Sequence, residues 1–222
     1  MPLVPRPGRL TSVVLDPQNP RSVSALARAG RWAKFQQVFP EITRMRVLDL
    51  GGMPSYWTAG PVRPAHVVTV NLWHADRDEP WIDHRQGDVL DLPASASGDR
   101  FDLVVSNSLL EHLGGHANRQ RFADIVRAAG PRHWVQTPYR YFPLEPHWMF
   151  PGLQFLPFAA RVAVTKRWRG GHMQADTDEQ AVSRVNEVEL VGLRQMRAYY
   201  PESTVWLERM LGLPKSMVAI RA

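Results

Sequence analysis

The sequence of 222 residues contains no cysteine. Disulfide scaffolds, thiolate zinc sites, iron–sulfur clusters and cysteine nucleophiles are therefore excluded. Lysine is scarce too, since 24 of the 27 basic residues are arginine. The most apolar stretch, residues 148–165, is interrupted by prolines and by Arg161, so it is no membrane-spanning helix of about 20 residues. The N-terminal segment lacks the apolar centre of a signal peptide, and we expect a cytoplasmic protein.

The residues that are present are typical of a globular domain. Hydrophobic residues make up 44% of the chain and charged residues 22%, which excludes a disordered tail and a coiled coil. The net charge of +6 permits anionic partners such as RNA. Because the basic residues are scattered, however, the charge by itself favours no nucleic-acid partner.

Prolines mark the beginning of the chain. Residues 1–20 contain five of them and predict an extended arm. Asn19 followed by Pro20 is a typical helix start, and residues 21–39 predict a helix that ends before the next proline. We therefore divide the chain into an arm and a single domain at 21–222.

Short apolar runs follow, separated by longer segments. The runs are continuously hydrophobic, as strands buried on both faces of a parallel α/β sheet are. The five runs predict strands at 46–50, 66–72, near 86–89, 101–107 and 132–138. The pattern also predicts a helix from about residue 116, another at 187–201, and a closing pair of strands within 203–222.

Residues 139–185 interrupt this alternation, since they are first rich in proline and aromatic residues and then polar. We expect an insertion that covers one end of the sheet as a lid over a ligand pocket. Two alternatives stay open for its apolar part. Residues 148–169 end in a basic and aromatic cluster that suits peripheral membrane contact, and the same surface suits a homodimer.

Ligands of an open α/β sheet bind beyond the carboxyl ends of its strands. The first predicted strand ends in Asp49, Leu50, Gly51 and Gly52. A dinucleotide fingerprint would require further glycines where this chain has Met53 and Tyr56, so NAD and FAD are poorly supported. A Walker loop is excluded because Gly-Lys-Ser/Thr does not occur.

Four segments in order, VLDLGG, VNL, GDVLDLP and FDLVVSNSLLEHL, resemble the class I S-adenosylmethionine-dependent methyltransferases. Asp49, Asn71, Asp88 and Asn107 are separated by 22, 17 and 19 residues, each the length of a strand and its crossover. The resemblance covers about residues 40–138, and LERMLGLPKSMVAIRA is similar to the family's final hairpin. It implies a doubly wound, Rossmann-like sheet, mostly parallel with a C-terminal antiparallel hairpin.

The resemblance also implies S-adenosylmethionine as the cofactor and a role for each matching residue. Asp49 would attract the ammonium group of its methionine end, beside the turn at Gly51 and Gly52. Asn71, followed by Leu72, stands where the family usually has an acid that accepts both ribose hydroxyls. An amide accepts through one oxygen only, so an acid at this position should tighten binding.

Further along, Asp88 would accept a hydrogen bond from the adenine amino group, with Val89 beside the ring. The alternative is that Asp88 caps a turn. Ser106, Asn107 and the segment 110–112 would lie beside the methionine portion and the transferred methyl group.

A base for the acceptor must come from loops near the fourth and fifth strands. The best candidate is His147, in a TPYRYFPLEPHW loop that is similar to one in bacterial small-molecule members of the family; the alternative is that it only packs among aromatic residues. Glu145 and Tyr141 could orient it, and His112 beside Glu111 is a second candidate unless that pair faces solvent. We expect no metal, because the sequence has no HExxH motif.

The resemblance disfavours nucleic-acid substrates. Members that methylate base amines carry Asn/Asp-Pro-Pro-aromatic after the fourth strand, where this chain has Ser-Asn-Ser-Leu at 106–109. We therefore expect no DNA partner and disfavour RNA. The predicted function is methylation of a small-molecule acceptor, on an oxygen of a sugar, a lipid-linked sugar or a secondary metabolite. The alternatives are an interaction module that has lost its cofactor, because the Met53-Pro54-Ser55 loop departs from the family, and an RNA-binding or RNA-modifying protein.

Overall fold

The computed structural model describes residues 23–92 and 100–222. The predicted arm at 1–20 lies outside these ranges. The chain divides into two compact units after Pro40, and Glu41–Ala222 is the larger unit. Among the described residues, no helix is both long enough and apolar enough to cross a bilayer.

The described part of the first unit is a helix, α1 (Val23–Val38), which confirms the helix predicted before Pro40. Its aromatic residues follow helical spacing, which brings neighbours onto one face. Trp32 and Phe35 meet edge to face with ring centroids 5.4 Å apart, and Phe39 lies 5.2 Å beyond Phe35.

The second unit is built on a seven-stranded sheet in the order β3-β2-β1-β4-β5-β9-β8. Neighbouring strands from β3 to β5 run parallel, and β9 runs antiparallel to both β5 and β8. A separate two-stranded hairpin is formed by β6 and β7. The predicted Rossmann-like sheet with its C-terminal antiparallel hairpin is confirmed. The strands are β1 (Arg46–Leu50), β2 (His66–Asn71), β3 (Ile82–Gln86), β4 (Leu103–Asn107), β5 (Arg132–Pro138), β6 (Leu144–Glu145), β7 (Phe150–Pro151), β8 (Thr204–Met210) and β9 (Leu213–Arg221).

Continuous apolar runs form the central strands because both faces of the sheet are covered. The interior residues of β1, β2, β4 and β5 are buried. Helices α2 (Pro54–Thr58), α3 (Gly115–Ala129) and α6 (Leu193–Tyr199) accompany the sheet. Phe122 and Val126 of α3 and Met196 and Tyr199 of α6 belong to the same core cluster as Val104 and Val135 of the sheet.

Two element boundaries differ from the prediction. The third strand lies at Ile82–Gln86, before the expected 86–89, because β3 is an edge strand of only intermediate burial and carries little hydrophobic signal. The last helix begins at Leu193 instead of 187, because the preceding residues are extended and Val191 forms a β-bridge with Tyr139.

The region between β5 and α6 has its own small core. Besides β6 and β7, it contains α4 (Phe158–Arg167) and α5 (Asp178–Glu187), which pack together. Its buried apolar side chains form a cluster separate from the main core: Trp148, Leu153, Met173, Val185, Val188 and Leu190. This region therefore packs partly on its own core, while Tyr141, Phe155, Phe158 and Trp168 stay exposed.

Candidate active site

The carboxyl ends of β1 and β4 meet at the point where the chain changes direction in the sheet. From β1 the chain continues through β2 and β3 on one side, and it returns to β4 and β5 on the other. Such a reversal opens a crevice at the carboxyl ends, where open α/β sheets bind ligands.

Asp49 lies near the carboxyl end of β1 and is only 1% exposed. Its Oδ2 accepts a hydrogen bond of 2.8 Å from the indole Nε1–H of Trp57, and its Oδ1 has no partner among the described residues. Burial raises the pKa of Asp49 to about 7, although the Trp57 hydrogen bond lowers it. An unsatisfied carboxylate oxygen in a binding crevice is suited to a cationic ligand.

The glycine turn lies directly over Asp49. A Cβ on Gly52 would come within 1.9 Å of Asp49 Oδ2, and Gly51 has φ +83° with Leu109 against it. The first glycine is required by a left-handed backbone, and the second by the absence of space. The turn therefore forms a cradle that only this pair of small residues permits.

Asn71 fixes the same turn instead of facing outward with a free amide. Its Nδ2 donates to the carbonyl of Gly51 at 2.7 Å and weakly to that of Gly52 at 3.4 Å. Its Oδ1 accepts the backbone N–H of Trp73 at 3.2 Å. The amide thus supplies two donors where an acid would supply none, which argues against the expectation that an acid here tightens binding.

The surface that was expected to bind the adenine ring is exposed to solvent. Leu72 and Trp73 are exposed at the carboxyl end of β2. The carboxylate of Asp88 is exposed, and one oxygen accepts the backbone N–H of Leu90 at 2.9 Å. Asp88 therefore does cap a turn, and its second carboxylate oxygen can still accept from a ligand. Val89 is buried in the core behind it.

Two residues at the end of β4 were expected to contact a ligand, and the structure places them differently. Ser106 is fully buried, and its hydroxyl donates to the Leu50 carbonyl at 2.9 Å, so it links two strands and does not reach a ligand. Asn107 has a buried Oδ1 without a partner among the described residues. Ser108 then adopts φ +53°, an unusual conformation for a residue other than glycine, of the kind found at functional sites.

Glu111 is the first carboxylate on the side where the acceptor is expected. It is 1% exposed; its Oε2 accepts from the hydroxyl of Thr137 at 2.9 Å, and its Oε1 lacks a partner in the described chain. Burial raises the pKa of Glu111 to about 6. Thr137 lies at the end of β5, so this contact joins the segment after β4 to the end of β5.

His147 and Glu145 form a buried pair beside Glu111. The ring Nδ1 of His147 lies 2.7 Å from Oε1 of Glu145, whose Oε2 accepts the backbone N–H groups of His147 and Trp148. Burial by itself lowers the pKa of His147, but the hydrogen bond and charge of Glu145 outweigh it and raise that pKa. The carboxylate holds the imidazole with Nδ1 protonated and leaves Nε2 for a ligand or a proton.

Two further histidines surround this pair. The rings of His112 and His147 meet edge to face at 5.0 Å, and His172 lies 5.6 Å from His147. Desolvation and the neighbouring His147 lower the pKa of both His112 and His172. The structure thus brings Glu111, His112, Glu145 and His147 together, whereas Tyr141 is exposed and stacks on Phe155.

A cavity of about 440 Å³ opens next to Glu145. Seven apolar side chains line it together with five polar ones: Arg140, Glu145, Gln154, Arg161 and Glu189. Arg161 Nε and Gln154 Oε1 are buried without partners among the described residues. A concave site in which several polar groups converge is suited to a polar small molecule.

Sequence reasoning missed five residues of this site. Trp57, Thr137 and the two cavity arginines carry no motif, and only their contacts reveal them. Gly171 is a fifth, since a Cβ there would lie 2.4 Å from the carbonyl oxygen of His147. The Gly-Gly pair at 170–171 is the one signal that could have been noticed.

By sequence, neither a protein family nor a curated protein matches this chain. Solved structures do match it, at low identity. A DhpI–SAH complex is similar with a TM-score of 0.52 and 13% identity, over 89% of this chain and 85% of that one.

Two other structures are similar to the same degree. A candidate O-methyltransferase from Nostoc punctiforme has a TM-score of 0.51 and 13% identity, over 93% of this chain and 62% of that one. A candidate Zn-dependent alcohol dehydrogenase from Rhodobacter sphaeroides has a TM-score of 0.51 and 14% identity, over 84% and 89%. The two names describe different reactions. The similarity therefore establishes the shared fold alone.

Proposed function

We propose that this protein is a class I S-adenosylmethionine-dependent methyltransferase that acts on an oxygen of a small-molecule acceptor. The observation that carries the proposal is the unsatisfied, buried Oδ1 of Asp49 beneath a glycine cradle. Its place at the reversal point of the sheet, in a fold shared with a DhpI–SAH complex, supports the same assignment.

The residues of the crevice suit each part of the cofactor. Asp49 would pair with the ammonium group, and the turn at Gly51 and Gly52 would allow close approach of the methionine portion. Asn107 Oδ1 is a second buried acceptor at this end. Leu72 and Trp73 would cover the adenine ring, and Asp88 would accept from its amino group. Asn71 holds the turn in shape for all of these contacts.

The acceptor would occupy the cavity between β6, α4 and residues 185–190. Glu145 lines this cavity and also holds His147, so the cavity adjoins the only buried imidazole–carboxylate pair in the described chain. The insertion then acts as a lid and supplies the acceptor-binding wall. Arg140, Arg161 and Gln154 suit the hydroxyl or anionic groups of a sugar or a secondary metabolite.

The bound cofactor supplies an electrophilic methyl group on a sulfonium. An acceptor oxygen held in line with that methyl group would take up the methyl carbon, and the electron pair of the carbon–sulfur bond would go to sulfur. The acceptor hydroxyl must release its proton, and His147 Nε2 accepts it, with Glu145 stabilising the imidazolium. Burial of Glu111, Glu145 and His147 keeps water away from this step.

Calorimetry with S-adenosylhomocysteine tests the proposal. We expect one molecule bound per chain with micromolar affinity and no heat with NAD⁺, the competing ligand class for such sheets. Gly52→Ala should abolish binding, because its Cβ would overlap Asp49. Gly30→Ala is the matched control, since among the described residues no atom outside the adjoining helix backbone lies within 4 Å of the added methyl. Absence of heat with S-adenosylhomocysteine in the folded wild type would identify an interaction module instead.

A further inference from the structure

Three potential metal ligands meet on the acceptor side. One donor atom each of Glu111, His112 and His147 lies within 4.8 Å of the other two. Ligands bound at about 2.0–2.2 Å in a tetrahedral site are separated by roughly 3.4 Å. Side-chain adjustments of about an ångström would therefore bring the three donors around one ion.

The carboxylate of Glu111 has an oxygen that is suited to bind a metal ion. Glu111 is 1% exposed, and its Oε1 lacks a partner among the described residues. An unpaired, buried carboxylate oxygen is costly unless a cation compensates it. Within the described chain, no lysine or arginine forms a salt bridge with Glu111.

The imidazoles of His112 and His147 are oriented by hydrogen bonds like those of metal-bound histidines. Nδ1 of His147 is bonded to Glu145 Oε1 at 2.7 Å, and Nδ1 of His112 to the Glu187 carbonyl at 3.2 Å. Because both partners are acceptors, both Nδ1 atoms carry the hydrogen, and each neutral ring presents the Nε2 lone pair. Histidine ligands of metals almost always donate their other ring N–H to a carboxylate or a backbone carbonyl.

We infer that Glu111, His112 and His147 bind a divalent transition-metal ion, with Glu145 and the Glu187 carbonyl as the groups that orient the two imidazoles. Two imidazoles and one carboxylate favour Zn²⁺, Co²⁺ or Fe²⁺ over Mg²⁺ and Ca²⁺, which prefer oxygen ligands. Three protein ligands leave at least one coordination position open, as in catalytic sites. The lack of HExxH does not bear on this site, since its ligands come from two segments separated by α3 and β5.

The open position gives the ion a role in the proposed reaction, and this step rests on the proposed function. An acceptor hydroxyl coordinated there would have a lowered pKa and would release its proton more readily. His147 would then act as a ligand and not as the base: the ion would lower the pKa of the coordinated hydroxyl, and the released proton would pass to solvent before methyl transfer. This coordination would restrict the acceptors to molecules whose methylated oxygen can bind a metal ion, such as vicinal diols.

Metal binding can be measured without any acceptor. The full chain is freed of metal by chelation and titrated with Zn²⁺ by calorimetry and with Co²⁺ by visible absorption. We expect one ion per chain and a Co²⁺ spectrum characteristic of four or five ligands. His112→Asn should weaken Zn²⁺ binding at least about tenfold, and Glu145→Gln by about 10–100-fold through the orientation of His147.

Matched variants distinguish binding at this site from adventitious binding to a surface histidine. His66→Asn, at the opposite end of β2, is the control and should change nothing. His112 is exposed, so its replacement keeps the fold. A wild type that binds no ion, or a His112→Asn variant of unchanged affinity, overturns the inference. S-adenosylhomocysteine binding is measured on the same samples: its persistence without metal binding leaves the proposed function intact, and its absence refutes that function alone.

Discussion

Replacing Asp49 by asparagine should stabilise the protein and weaken its binding of the proposed cofactor at the same time. The carboxylate is buried, with one hydrogen bond to Trp57 and one oxygen without a partner. Asparagine has nearly the same shape, and its carbonyl oxygen can accept the same indole N–H. The substitution removes the negative charge of the Asp49 carboxylate, which no group in the described part of the folded protein compensates.

The magnitude follows from the pKa of Asp49, which burial raises from 3.8 to about 7. The folded state therefore holds a proton that the unfolded state has released between these values. Stability from this group is fully present below pH 3.8 and is lost as the pH rises to about 7. Three pKa units correspond to about 4 kcal/mol, which is the upper limit of the gain in Asp49→Asn above pH 7.

The assay is urea denaturation of the wild type and the variant at pH 8 and at pH 5. We expect the gain from the substitution to be larger at pH 8, by a few kcal/mol. Calorimetry should show S-adenosylhomocysteine binding weakened about 10–100-fold, the worth of one charge-assisted hydrogen bond. Wild-type affinity should fall below pH 7, where binding must first displace a proton, and the affinity of the variant should not.

Asp124→Asn is the matched control, because it removes an equal charge from an exposed position on α3. It should change stability by at most about 0.5 kcal/mol. An Asp49→Asn variant that is less stable than the wild type at pH 8 would refute the account of Asp49 as an uncompensated charge. Unchanged S-adenosylhomocysteine affinity would remove Asp49 from the ammonium site.

Three further outcomes are expected. Asn71→Asp should weaken S-adenosylhomocysteine binding and lower the unfolding free energy by about 1–3 kcal/mol, because it removes the donor to the Gly51 carbonyl; tighter binding would contradict this. His147→Ala should lower turnover by about 10²–10⁴-fold with S-adenosylhomocysteine affinity unchanged; a loss of that affinity would place His147 at the cofactor. Burial and nearby arginines lower the pKa of His133 to about 4, so its contribution to stability is complete above pH 6.5 and is lost toward pH 4, by about 3 kcal/mol. His133→Gln should flatten this part of the urea stability profile, and an unchanged profile would contradict the assignment.

The sheet could be predicted from the sequence because each strand is specified by the residues of a short, continuous segment. An apolar run such as the one at 47–50, bounded by turn residues, has few ways to satisfy its backbone other than a buried strand. The order of the runs and their spacing then restrict the topology. The prediction was weakest at β3, since an edge strand has a polar face and lacks that signal. The glycines at 51 and 52 were expected to form a turn after the first strand, and Gly51 has the positive φ of such a turn.

Only the tertiary structure decided what each polar side chain does. Asn71, Ser106 and Asp88 were all expected to face a ligand. In the structure the first holds the glycine turn and the second ties β4 to β1, while the third caps a turn with one carboxylate oxygen and keeps the other for a ligand. Glu111 and His147 belong to segments separated by a helix and a strand, so no spacing reveals that they meet. Strand formation depends on a residue and its near neighbours, whereas a hydrogen bond or a pKa depends on groups that distant parts of the chain bring within a few ångströms.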